Sequence, residues 1–110
     1  MGRRYYETTR YYESVFALKP TLTEEEVQRR LEEIRKVIKD KGGEIIEETD
    51  WGLKQLAYPV RKFNHGRYFI FRIVSSNPQL PNELDFYYKI SDDIIRWLNF
   101  RTKGGKNNAK

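Results

Sequence analysis

Residues 52–74 carry five cations, Lys54, Arg61, Lys62, Arg67 and Arg72, and no acid. Tyr58, Phe63, Tyr68, Phe69 and Phe71 are interleaved with them. Ammonium and guanidinium groups displace counterions from phosphates, and aromatic faces stack on bases. A cationic, aromatic-rich ribbon therefore suits a polyanion, and RNA is the commonest one. Arg10 and Arg96 extend the set at strand ends. The expected RNA contacts are Arg10, Lys54, Arg61, Lys62, Arg67, Arg72 and Arg96.

Other chemistries find little support. Cysteine is absent, so thiolate metal sites and disulfides have no residues to build them, and His65, the single histidine, gives a catalytic or metal role little support. Asp92-Asp93 precedes a strand-like run and reads as a cap or turn rather than a paired-carboxylate site. There is no glycine-rich phosphate loop, nucleophile elbow or metal-ligand spacing. The expectation is no enzyme, no catalytic residue, no metal and no cofactor. No apolar run approaches the ~20 residues of a membrane span. The basic start, MGRRYYETTR, lacks the apolar stretch of a secretory signal, which makes the cytoplasm the default location.

The chain has 110 residues, a length for one domain, with a net charge of +5 and 34% charged residues. Residues 11–18, YYESVFAL, read as a strand, and Pro20 ends it. Thr21 with Glu24, or Thr23 with Glu26, fits a capping box. Val27, Leu31, Ile34 and Ile38 then form one apolar stripe of a helix that Gly42-Gly43 stops. Glu44–Asp50 opens a second strand, with a bulge or bend at Gly52. Pro59 places that strand at a sheet edge. Leu53–Val60 and Arg67–Val74 make a hairpin. Its turn is expected at Asn64-His65-Gly66, with Gly66 at positive φ and His65 facing solvent. Leu80 to Ile90 reads as a second helix, with Leu80, Leu84 and Tyr87 or Tyr88 inward. Ile94–Phe100 reads as the last strand.

The order βαββαβ predicts an α+β fold: a ferredoxin-like sandwich, with a four-stranded antiparallel sheet and two helices on one face. Residues 1–10 are expected to be an N-terminal extension, 11–102 the domain and 103–110 a flexible basic tail. In the extension Arg4-Tyr5-Tyr6-Glu7 foreshadows Arg10-Tyr11-Tyr12-Glu13. The third and last strands carry apolar groups on both faces, yet two helices bury only one. The open face is therefore expected to meet a protein partner, with Phe69, Phe71, Trp97 and Phe100 as candidate anchors. Leu56, Ala57, Tyr58 and Pro59 read as core, with Tyr58 burying its ring. The third strand only partly fits the aromatic octapeptide of RNA-recognition modules, because Arg67 and Arg72 stand where aromatics belong. That favours a protein-covered face over base stacking.

Gly52-Leu53-Lys54-Gln55-Leu56-Ala57-Tyr58-Pro59-Val60-Arg61 resembles the signature of the bacterial small-subunit ribosomal protein six family. In that family a Gly, a basic residue, Leu-Ala-Tyr-Pro and an aliphatic residue stand in this order. Leu18-Lys19-Pro20, Ile90-Ser91-Asp92-Asp93-Ile94 and Arg96 extend the likeness over residues 11–101. Val60 replaces the more usual Ile, and Trp97 and Phe100 are bulkier than usual. The resemblance implies the same fold and a non-catalytic role in assembly. It implies binding to small-subunit ribosomal RNA jointly with small-subunit ribosomal protein eighteen, as a heterodimer on the central domain of the subunit. The alternatives are a free-standing RNA-binding module or a ferredoxin-like ligand-sensing domain.

Overall fold

The computed structural model describes residues 9–103; residues 1–8 and 104–110, most of the expected extension and tail, lie outside the described residues. Strand β1 (Arg10–Leu18) leads to helix α1 (Glu24–Asp40), then strands β2 (Gly43–Val60) and β3 (Phe63–Ser75), helix α2 (Leu80–Lys89) and strand β4 (Ile94–Thr102). The sheet order is β2-β3-β1-β4 and every pairing is antiparallel. This is the ferredoxin-like arrangement that the element order predicts.

Thr23, rather than Thr21, caps α1. Its hydroxyl accepts the Glu26 amide at 3.1 Å, and the Glu26 carboxylate accepts the Thr23 amide at 2.9 Å. Val27, Leu31, Ile34 and Ile38 turn inward, and α2 contributes Leu80, Leu84 and Tyr88. From the sheet they meet Tyr12, Phe16 and Leu18 of β1, Phe69, Phe71 and Ile73 of β3, and Ile94. Phe16 touches three rings: Phe69 at 5.6 Å, Phe71 at 5.2 Å edge-on and Tyr88 at 5.4 Å. Ser14 sits one pleat away, hydroxyl to hydroxyl with Tyr88 at 2.6 Å, so neither buried oxygen lacks a partner. Burial raises the Tyr88 phenol above its ordinary range.

These contacts fix the faces. Phe69 and Phe71 are 3% and 0% exposed beneath the helices, which corrects their candidacy as partner anchors. Trp97 also faces the helices, packing at 6.3 Å from Tyr88. By the alternation, Tyr11, Glu13, Val15 and Ala17 of β1 share the opposite face with Tyr68, Ile70, Arg72 and Val74 of β3 and with Arg96, Leu98 and Phe100 of β4.

The hairpin differs from its expected form. Its two-residue turn is Arg61-Lys62, with Val60 paired to Phe63. Asn64-His65-Gly66, a turn by composition, lies inside β3. Gly66 pairs with Lys54 and has no positive φ. Its glycine serves close approach instead, because a Cβ there would stand 3.0 Å from the Ala17 Cβ. The distal hairpin curls over one end of the face away from the helices. Leu56, Ala17 and Ile95 form a second small core there, flanked by Val60, Phe63 and Tyr68. The expected burial of Tyr58 is corrected too: its side is 61% exposed, and Leu56 is the buried member of the run. The pairing is irregular between Gln55 and Val60, so Pro59 removes no ladder bond.

Leu56→Ala should therefore destabilise the domain by about 2–5 kcal/mol, and Tyr58→Ala by less than about 1 kcal/mol. Denaturant midpoints of the two variants check this; equal losses would show that the Tyr58 ring packs as core.

Candidate nucleic-acid interface

The seven cations expected to contact RNA separate into three groups. Arg67 bridges two acids on the helix side of the sheet. One guanidinium nitrogen reaches Glu24 at 2.7 Å and another reaches Asp50 at 2.8 Å. Arg72, on the opposite face, lies 3.7 Å from Glu13 and 3.2 Å from Glu47. The acidic segment 44–50 thus neutralises cations of the neighbouring strand, and Glu48 likewise holds Arg35 at 2.8 Å. Arg10 stands at the start of β1, opposite Ser75 and far along the sheet from the hairpin turn, where it donates to the Ser76 carbonyl at 3.3 Å.

Lys54, Arg61, Lys62 and Arg96 contact no carboxylate among the described residues. Arg61 donates to the Asp92 carbonyl at 2.9 Å, which ties the hairpin turn to the loop before β4. Lys54 lies 5.2 Å over the Trp51 ring, and Arg96 lies 5.4 Å over the Tyr58 ring. These four cations with two exposed aromatics are the part of the ribbon left with uncompensated charge.

The backbone at this end is unusual. Arg61 and Lys62 adopt positive φ, 52° and 73°. A two-residue hairpin turn needs such angles, and Asn-Gly satisfies them with less strain. Two bulky cations occupy a place where smaller residues fit better, and strain of this kind gathers at functional sites. A second device lies at Asp50–Gly52. One Asp50 oxygen accepts the Gly52 amide at 3.0 Å while the other holds Arg67. Gly52 takes φ of 85°, and the bulge between Asp50 and Gly52 sets Trp51 out of the ladder. Trp51 rests edge-on against Tyr68 at 6.1 Å and stays 50% exposed. Sequence reasoning passed over Trp51, although the adjoining Gly52 signals the bulge that exposes it.

Beyond the curled hairpin, the sheet face opposite the helices presents Val15, Ile70, Leu98 and Phe100. Leu98 is 60% and Phe100 37% exposed. A notch of about 140 Å³ opens there, with Val15, Tyr68, Arg96 and Leu98 in its lining. Of the four expected anchors, Phe100 alone lies on this face. A cleft of about 420 Å³ near the α1 N-terminus is lined by Lys19, Arg29 and Arg30 against Glu26, Glu33 and Asp93, so its charges offset one another. No group of three or more His, Cys, Asp or Glu residues able to hold a metal occurs among the described residues.

The family model described as Ribosomal protein S6 matches residues 11–101. The chain is 58% identical to small ribosomal subunit protein bS6 of Aquifex aeolicus over 109 residues, covering 97% of this chain and 99% of that one. It is 38% identical to the protein of the same name from Caldanaerobacter subterraneus, covering 84% of this chain and 97% of that one. The crystal structure of 30S ribosomal protein S6 from Thermotoga maritima superposes with a TM-score of 0.79 at 34% identity, over 86% of this chain and 88% of that one.

Hydrogen bonds from Arg67 hold the carboxyls of Asp50 and Glu24 below their ordinary values of 3.8 and 4.5. Depressed folded-state values stabilise the fold above the unfolded values, and the benefit is lost as pH falls through the folded ones. Arg67→Met should lower the melting temperature at about pH 6, and the gap to the parent should narrow below about pH 4. A gap independent of pH would show that Arg67 acts through packing alone.

Proposed function

The chain belongs to the ribosomal protein S6 family of the small ribosomal subunit, and on that premise we propose that it binds small-subunit ribosomal RNA jointly with small-subunit ribosomal protein eighteen. It is a structural protein of the cytoplasmic ribosome, not an enzyme. The division of labour follows the two surfaces. The hairpin end, with Lys54, Arg61, Lys62 and Arg96, meets RNA phosphates. The apolar sheet face, with Leu98 and Phe100 as its exposed anchors, meets the protein partner.

One observation carries the RNA reading: the cations of the hairpin end lack carboxylate partners, whereas Arg67 and Arg72 are held by the chain's own acids. Binding to phosphates releases counterions only where charge is uncompensated. The strained Arg61-Lys62 turn supports the same reading, since smaller residues would take those backbone angles with less strain and the one fold contact of the pair is the Arg61 bond to the Asp92 carbonyl.

For a ribosomal RNA fragment from the central domain, log K should fall with log salt with a slope of roughly −3 to −4 if four cations meet phosphates. Replacing Arg61-Lys62 by Asn-Gly should flatten that slope by about 1.5 and weaken binding, while stability holds or rises by up to ~1 kcal/mol. Arg72→Met should leave the slope unchanged. Equal slopes for the parent and the Asn-Gly variant would remove the hairpin turn from the RNA contact.

For the partner, Leu98→Ala and Phe100→Ala should each weaken the heterodimer by ~2 kcal/mol or more with little loss of domain stability, because both side chains are already exposed in the free protein. Unchanged heterodimer affinity in both variants would move the partner to an edge strand or the helical side.

A further inference from the structure

Cations alone track a backbone; exposed rings beside them add a means of holding bases. Trp51 and Tyr58 are two of the most exposed aromatics in the described chain, 50% and 61%, and each has a cation over its face, Lys54 at 5.2 Å and Arg96 at 5.4 Å. The same pairing thus occurs twice on one hairpin. Neither ring is left out by poor packing. Trp51 is set out of the ladder by the bulge that Asp50 and Gly52 fix, and its ring meets that of Tyr68 at a steep angle of 71°. Tyr58 projects from the irregular stretch before Pro59, while Leu56 of the same run supplies the packing. A Cβ at Gly52 would meet nothing within 4 Å outside its chain neighbours, so no other described part of the chain covers the backbone next to Trp51.

Resting on the RNA reading above, we propose that Trp51 and Tyr58 are stacking stations for unpaired nucleobases, with Lys54 and Arg96 turning to the flanking phosphates. An aromatic face accepts any base, because every base has a π-face, so the site selects single-stranded RNA at a loop or bulge rather than a particular sequence. The cations favour RNA over a second protein here: both rings are flanked by positive charge, and Asp50, next to Trp51 in the chain, is already bound to Arg67.

The test uses the full chain with its protein partner and a central-domain ribosomal RNA fragment containing unpaired loops. Trp51→Ala and Tyr58→Ala should each weaken RNA binding by roughly 5- to 100-fold without changing the salt slope, since stacking releases no counterions. Trp51→Phe should recover most of the loss, and Lys54→Ala should flatten the slope by roughly 0.7–0.9. In a Trp97→Phe background, where Trp51 is the remaining tryptophan, RNA should quench its emission. Full affinity in both alanine variants, with the Asn-Gly turn variant still weakened, would overturn the stacking sites and leave the RNA reading intact. If Trp51→Ala weakens the protein partner and spares RNA, the ring belongs to the protein interface and the proposal fails. A parent complex with no affinity for the fragment would end both readings.

Discussion

Phe16 lies in β1, one of the two central strands, and three aromatic rings close on it from β3 and α2. Its ring must face the helices, and the two-residue period of a strand then assigns every other side chain of β1. Antiparallel pairing carries that assignment to β3 and β4. Phe69 and Phe71 become core by the same step that turns Ile70, Leu98 and Phe100 outward. The composition of the exposed face is thus a by-product of where the aromatic core forms. A sheet covered on one side has to expose whatever alternates with its core, and here much of that is apolar.

The hairpin deals with this exposure in part. Its distal end curls back and covers Ala17 and Ile95 with Leu56. The edge strand reaches that end through irregular pairing near Ile46, Trp51 and Tyr58. Breaks of this kind disrupt a free edge and discourage further strand pairing. They also re-aim side chains, so one deviation protects the sheet and presents a ring. Charge is managed alongside. The acids of β2 bind Arg35, Arg67 and Arg72, and the uncompensated cations gather where those acids end.

The elements with strong local signals were legible in the sequence. The apolar stripe of Val27, Leu31, Ile34 and Ile38, the Thr23 cap, the Gly42 stop and the edge position implied by Pro59 all carry their reasons within a few residues. The Gly52-to-Arg61 run pointed to the family. What escaped the sequence depends on distant parts of the chain. Asn64-His65-Gly66 has the composition of a turn, but Gly66 is needed against Ala17, far away in sequence. Arg61-Lys62 has no turn composition, and tertiary pairing imposes its angles. Tyr58 reads as core from its apolar neighbours, whereas the irregular pairing gives that place to Leu56. The side of the sheet taken by Phe69 and Phe71 follows from their packing against Phe16 of β1, a contact between distant segments that alternation within β3 does not reveal. Which cations remain uncompensated rests on acids of the neighbouring strands and of α1, distant in sequence.

The paired hydroxyls of Ser14 and Tyr88 bear on how the chain selects one alignment among near-equivalents. Sliding β1 by two residues would keep every side chain on its proper face, so greasiness alone distinguishes such alignments poorly. It would also carry Ser14 away from Tyr88 and set Tyr12 or Phe16 in its place. One or both oxygens would then be left in a dry interior, at a cost of about 1–3 kcal/mol each. A polar contact that adds little to the strength of the interior therefore serves as a locating pin: it tells the strand where to stop.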